Sequence, residues 1–185
     1  MRGLFILSLI CICNISVAQS KYITRTGLVA FEASVPSFED VKAKNETTTC
    51  IINTKNGEIA ALVFVKGFRF KNALMEEHFN ENYIESNKYP KMTFKGLIKD
   101  FDETTLANND ELMVKKEITG SLSLHGKTKE VTLNNTSITL VNNTINIIGN
   151  FDVKPEDFDI KIPKIVSNKI AETIKINLTF KLEKQ

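Results

Sequence analysis

His78 stands in Met75-Glu76-Glu77-His78-Phe79-Asn80-Glu81-Asn82-Tyr83 and is one of only two histidines in 185 residues. An imidazole among carboxylates could serve as a general base or as a metal ligand. A base needs a nucleophile within reach, and zinc needs three or four ligands. On a helix only Glu81, three residues on, comes close to sharing the face of His78. The segment is therefore short of partners for either chemistry. The favoured reading is a histidine that faces an apolar interior and bonds a ligand head group or a backbone carbonyl.

The other reactive side chains are weaker candidates. His125, in His125-Gly126-Lys127-Thr128, lies in a turn pattern and reads as exposed or turn-stabilising. The acid pairs Glu76-Glu77, Glu156-Asp157 and Asp100/Asp102 have the composition of paired-carboxylate catalysis. They lack apolar surroundings that would hold one member protonated, and they read as solvated surface. Cys50, in Thr48-Thr49-Cys50-Ile51-Ile52-Asn53, reads as a small core residue of a strand. No Gly-rich phosphate loop, nucleophile elbow or Cys-x-x-Cys pair occurs.

The elements that must position these residues are mostly strands. Ile174, Ile176, Leu178, Phe180 and Leu182 are apolar, with Lys175, Asn177, Thr179, Lys181 and Glu183 between them. Strict alternation is the pattern of a strand with one buried face. Met92/Phe94/Ile98, Ile118/Leu122/Leu124 and Ile145/Ile147/Phe151/Val153 repeat it. Asn56-Gly57, His125-Gly126 and Asn142-Asn143 supply turns between such runs. No strand–helix–strand spacing recurs, so a parallel sheet is not expected.

The run 58–70 is apolar on both faces, with Ala60, Leu62, Phe64, Phe68 and Phe70 on one and Ile59, Ala61, Val63 and Val65 on the other. One face suits a barrel interior; the other calls for a helix, a loop or a second subunit, so a homodimer is an open expectation. Residues 72–85 read as an amphipathic helix, capped by Asn72 and unable to pass Pro90. Residues 36–41 read as a turn or short helix. The expected fold is all-β: a single antiparallel barrel of about eight strands with one amphipathic helix and short helical turns.

Charged residues make up 25% of the chain and the net charge is +2. With no Lys/Arg block, nothing suggests nucleic acid as a partner. Trp is absent and Phe occurs 12 times, a composition suited to a core or a lipid cavity. Residues 1–18 read as a signal peptide: Arg2, then the apolar run Leu4 to Ile15, then Ser16-Val17-Ala18 before the cut. The apolar run is short for a membrane span, and none is expected after cleavage. A periplasmic or secreted domain of residues 19–185 follows. Cys11 and Cys13 raise a lipoprotein signal as the alternative, although each follows an Ile where such signals prefer a small residue.

Five stretches taken in order carry a resemblance: Val29-Ala30-Phe31-Glu32-Ala33; Gly67-Phe68-Arg69-Phe70; Met75 to Tyr83; Lys88-Tyr89-Pro90-Lys91-Met92-Thr93-Phe94-Lys95-Gly96; and Thr119 to Val131. Over roughly 22–183 the chain resembles the YceI-like family. The resemblance implies a lipocalin-like barrel that binds a polyisoprenoid, an isoprenoid quinone or a similar long-chain amphiphile, without catalysis and with no other cofactor. By parity the ligand-facing candidates are Phe64, Phe68, Phe70, Phe94 and Ile98 on strands and Met75, His78, Phe79 and Tyr83 on the helix. The alternatives are a structural or stress-protective secreted module filled by its own side chains, and an enzyme acting on a lipid.

Overall fold

The structure, a computed structural model, describes residues 20–36, 38–102, 104 and 114–185. The expected signal peptide, with Cys11 and Cys13, lies outside the described residues, as does Ser37 of the 36–41 segment. The remainder of that segment is a turn and bend, in which Phe38 N donates to Val35 O at 3.2 Å.

Among the described residues period-two alternation becomes nine strands: β1 (Lys21–Ser34), β2 (Lys42–Asn53), β3 (Glu58–Phe64), β4 (Arg69–Phe70), β5 (Lys91–Ile98), β6 (Val114–Leu124), β7 (Lys127–Val141), β8 (Thr144–Val153) and β9 (Ile170–Lys184). The ladder runs β1-β9-β8-β7-β6-β5-β3-β2, and β2 pairs again with β1, so these eight strands close an antiparallel barrel. The two-residue β4 adds to β2 through Ala43 and Phe70. Register carries the alternation inward: Ile145 opposes Leu182 and Ile147 opposes Phe180, all fully or almost fully buried. Two tight hairpins use left-handed residues, His125-Gly126 (φ 50° and 76°) and Asn142-Asn143 (φ 48° and 61°), the backbone sense that matches strand twist.

The run 58–70 is not one strand. β3 ends at Phe64, a single turn of tight helix spans Val65–Gly67, and Phe68 begins a new direction. Buried Asn45 holds the break: its Nδ2 donates to Phe64 O at 2.9 Å, and its Oδ1 accepts from Thr47 N and Oγ1. The break also reverses the expected parity. Ala61 pairs with Cys50 and Phe94, and Val63 pairs with Met92, so Ile59, Ala61 and Val63 face the interior. Ala60, Leu62 and Phe64 face out, which removes the argument for a dimer built on Ile59, Ala61, Val63 and Val65. Beyond the break, Phe68 and Phe70 turn back inward.

The two ends of the barrel differ. At the end of the Asn56-Gly57 and Asn142-Asn143 turns, Tyr22, Ile52, Ile98, Ile138, Ile145 and Leu182 pack a filled core. Among them Cys50 is fully buried, and burial pushes its thiol up to about 12. At the other end lie the loop 35–41, the helical connection 65–90, the His125-Gly126 hairpin and the connection 154–169.

A partly buried histidine ties three of these elements together. His125 Nδ1 is 2.9 Å from Phe158 O, Nε2 is 2.9 Å from Glu85 Oε2, and Tyr89 stacks edge-on at 4.5 Å. Both partners are acceptors, so the doubly protonated ring satisfies both and the neutral ring only one. Glu85 itself sits at φ 49°, a left-handed residue that ends the helical segment. The Gly126 hairpin allows the contact, because a Cβ there would meet Tyr89 Cε1 at 2.7 Å. Replacing the ring leaves a buried carbonyl unpaired. His125→Ala is expected to lower unfolding free energy by about 1–3 kcal/mol, read from the urea midpoint. An unchanged midpoint would mean the clamp contributes nothing.

Candidate functional site

Above the filled core the barrel interior opens into a cavity of about 450 Å³, walled almost wholly by apolar side chains. Its walls come from alternate residues of the strands: Val29, Phe31 and Ala33 of β1, Ile59, Ala61 and Val63 of β3, and Ile174, Ile176 and Leu178 of β9. The connection 154–169 adds Phe158, Ile160, Ile162 and Val166.

Two glycines make room for a lining ring. Gly96 and Gly120 face each other across β5 and β6, and Cβ atoms on them would meet the Phe94 ring tip at 2.6 and 2.8 Å. The Phe94 ring therefore lies over this glycine pair, where it lines the cavity. Ile98, expected to line the cavity, is 1% exposed and belongs to the filled core beneath.

Four phenylalanines gather near the mouth. Phe31 lies 5.5 Å from Phe68, 5.6 Å from Phe70 and 5.4 Å from Phe79, ring centre to ring centre. Phe79 closes the cluster against Phe68 and Phe70 at 5.6 and 5.1 Å. Tilted and edge contacts at these spacings are the favoured geometries for aromatic rings. The cluster binds β1, the β4 region and the helical segment into one wall.

The helical segment begins where Asn72 Oδ1 accepts from Leu74 N at 2.9 Å and Met75 N at 3.4 Å. Helix α1 (Ala73–His78) passes directly into a wider turn, Phe79–Tyr83, in which Ile84 N donates to Phe79 O at 2.9 Å. From this turn both Tyr83 and Ile84 reach the cavity. Met75, His78, Phe79 and Tyr83 all line the cavity. His78 is exposed at its rim, and no described residue hydrogen-bonds its ring. Phe68, Phe70 and Phe94 line the cavity too. Phe64 does not: it is 49% exposed on the outer face, with Lys91 Nζ 5.6 Å above its ring.

The polar groups are few and peripheral. Glu39, Lys154 and Lys169 reach the cavity rim. Glu76 is less solvated than expected, accepting from Phe70 N and Arg69 at 3.1 Å each and so fixing β4 to the helix. Glu156 and Asp157 are largely exposed. Among the described residues no three His, Cys, Asp or Glu side chains converge as metal ligands. No described helix is long and apolar enough to cross a membrane. Phe31 was within reach of the sequence, since Val29, Phe31 and Ala33 alternate, but the polar start of β1 conceals the pattern.

A YceI-like domain model matches residues 20–182. No curated protein matches the chain. Among solved structures, a polyisoprenoid-binding domain from Saccharophagus degradans implicated in plant cell wall breakdown superposes with a TM-score of 0.72 at 14% identity, covering 90% of this chain and 99% of that one. BcnA from Burkholderia cenocepacia gives 0.68 at 15% identity, covering 84% and 95%. A Campylobacter jejuni YceI protein gives 0.62 at 17% identity, covering 82% and 90%. At such identities the structural likeness speaks for the fold.

Phe31 is the centre of the aromatic wall, so truncating it should cost more than a typical surface change. Phe31→Ala is expected to destabilise by about 3 kcal/mol, measured by chemical unfolding. A loss under about 1 kcal/mol would place the wall's stability elsewhere.

Proposed function

The chain belongs to the YceI-like family, and from that premise we propose that it holds a polyisoprenoid, an isoprenoid quinone or a similar long-chain amphiphile in the barrel cavity, as a carrier rather than a catalyst. The observation that carries this reading is the distribution of polarity in the cavity. The lining is almost wholly hydrocarbon, and its charged side chains, Glu39, Lys154 and Lys169, come from the connections at the open end of the barrel. An amphiphile needs that division. Each methylene taken from water contributes about 0.8 kcal/mol, while a head group without hydrogen-bond partners is costly to bury. The solved relative from Saccharophagus degradans is described as polyisoprenoid-binding, which supports the choice of cargo.

His78 and Tyr83 fit the meeting point of tail and head. Each has an apolar body, a polar tip and a place on the cavity wall near its opening. A catalytic role for His78 finds less support, because neither a carboxylate nor a hydroxyl among the described residues orients its ring. A module filled by its own side chains fits the lower half of the barrel but leaves the upper half unexplained. The signal-like pattern of residues 1–18 supports an extracytoplasmic site of action.

Native mass spectrometry of the purified protein, with and without added isoprenoid quinone, tests the carrier reading: a bound lipid mass is expected. Phe68→Asp should abolish retention by placing an unpaired charge in the apolar wall. His78→Ala should weaken it by about 1 kcal/mol, the value of one hydrogen bond, with folding intact. Full retention in His78→Ala together with loss of a chemical turnover would make the residue catalytic. Intact-mass measurement of the exported protein should give a chain beginning at Gln19; an acylated Cys11 or Cys13 at the N-terminus would make it a lipoprotein.

A further inference from the structure

The rim of the cavity has properties that holding a ligand does not require. Three elements meet there. The end of β1 pairs with the start of β9 at Ser34 and Ile170, next to the connection 154–169. The loop 35–41 meets the start of α1 where Asn72 Nδ2 donates to Glu39 Oε1 at 3.3 Å. Each element displays a large apolar side chain to solvent: Phe38 at 43%, Leu74 at 56% and Ile165 at 85% exposure. Phe38 lines the opening itself, while Leu74 and Ile165 stand next in the chain to the lining residues Met75 and Val166.

Ile165 is held outward by a closed turn. Val166 N donates to Pro163 O at 3.0 Å, and Ser167 Oγ donates to Lys164 O at 2.9 Å. The turn that seats Val166 on the cavity thus presents its neighbour to the outside. The charge around this tip is one-sided. Residues 160–169 read Ile-Lys-Ile-Pro-Lys-Ile-Val-Ser-Asn-Lys, with no acid, and all three lysines are exposed. None of them pairs with a described carboxylate within 4 Å, whereas the nearest acid, Asp159, is held by Lys127 at 2.8 Å. Across the mouth, Asp40 is 3.4 Å from Lys42 and Glu76 is 3.1 Å from Arg69; Glu77 and Glu81 are exposed.

We propose that this rim docks on an anionic lipid bilayer. Ile165 enters the interface, Lys161 and Lys164 lie over anionic head groups, and Phe38 and Leu74 complete the contact. Exposed apolar tips combined with unpaired lysines are what a surface-bound protein offers such a membrane, the first through burial and the second through the surface potential. Docked in this way, the cavity opens toward the leaflet. The proposal draws its purpose from the carrier reading, but its measurement needs no cargo.

The test uses purified protein and vesicles, either of phosphatidylcholine alone or with phosphatidylglycerol. Wild-type protein should co-sediment with the anionic vesicles only, and added salt should release it. The chain has no tryptophan, so Ile165→Trp introduces a single reporter. Its emission should shift to the blue with anionic vesicles. Lys161→Gln and Lys164→Gln should each lower partitioning about fivefold, and Ile165→Ser should lower it further, while none of the three lines the cavity.

Absence of co-sedimentation, equal binding to neutral vesicles, or indifference to these substitutions would overturn the proposal; capture of a protein partner through Ile165 in vesicle-free solution would do the same. If the rim ignores vesicles while quinone still binds, docking fails and the carrier reading stands. If vesicles bind and no quinone is held, the reverse is true.

Discussion

Between Lys21 and Asn53 at one end and Glu32 and Lys42 at the other, the ladder of β1 with β2 closes the sheet on itself. Without it, two long edges would expose unpaired backbone groups, the usual template for aggregation. With it, alternate side chains of eight strands share one interior, and the inward choice on any strand is fixed by its neighbours. Closure also demands curvature. Register shifts flank Gly27 in β1, where a Cβ would meet the Phe180 ring at 2.6 Å. Glycine there lets the strand bend and the phenylalanine pack in the same place.

Closure explains the enclosed interior but not its division into a solid and a hollow half. That division depends on side-chain size at a few positions. Isoleucine, leucine and tyrosine fill the lower half. The Gly96–Gly120 pair leaves room for the Phe94 ring, which side chains there would displace. Above it, the Phe31 cluster places bulk in the wall, and the His125 clamp holds the helical segment and the connection 154–169 across the top. The hollow is thus bounded by strongly packed elements on each side, as a preformed ligand site requires.

Much of this was legible in the sequence. The alternation of β9, the turn residues at Asn142-Asn143 and His125-Gly126, and the Asn72 cap all mark elements that exist. Their signals are local, so one chain segment suffices to read them. The errors arose where the information is not local. In 58–70 both faces are apolar, and parity alone cannot say which points inward; the ladders to Cys50 and Phe94 decide it. The break at Val65–Gly67 depends on Asn45, nineteen residues away. Ile98 has the right parity for the cavity but packs within the filled core. The connection 154–169 has no period to read, since its apolar residues answer to the cavity and not to a regular element.

The filled core at the opposite end makes the hollow a blind sac rather than a tube. An amphiphile can enter it only tail first and must leave by the way it came, head group leading. In the carrier role proposed above, the same opening must therefore face the donor and later the acceptor. A barrel of this kind cannot join two compartments as a conduit. As the proposed carrier it would let go of one surface, tumble, and present itself afresh to the next, and its throughput would be set by those encounters rather than by passage through its interior.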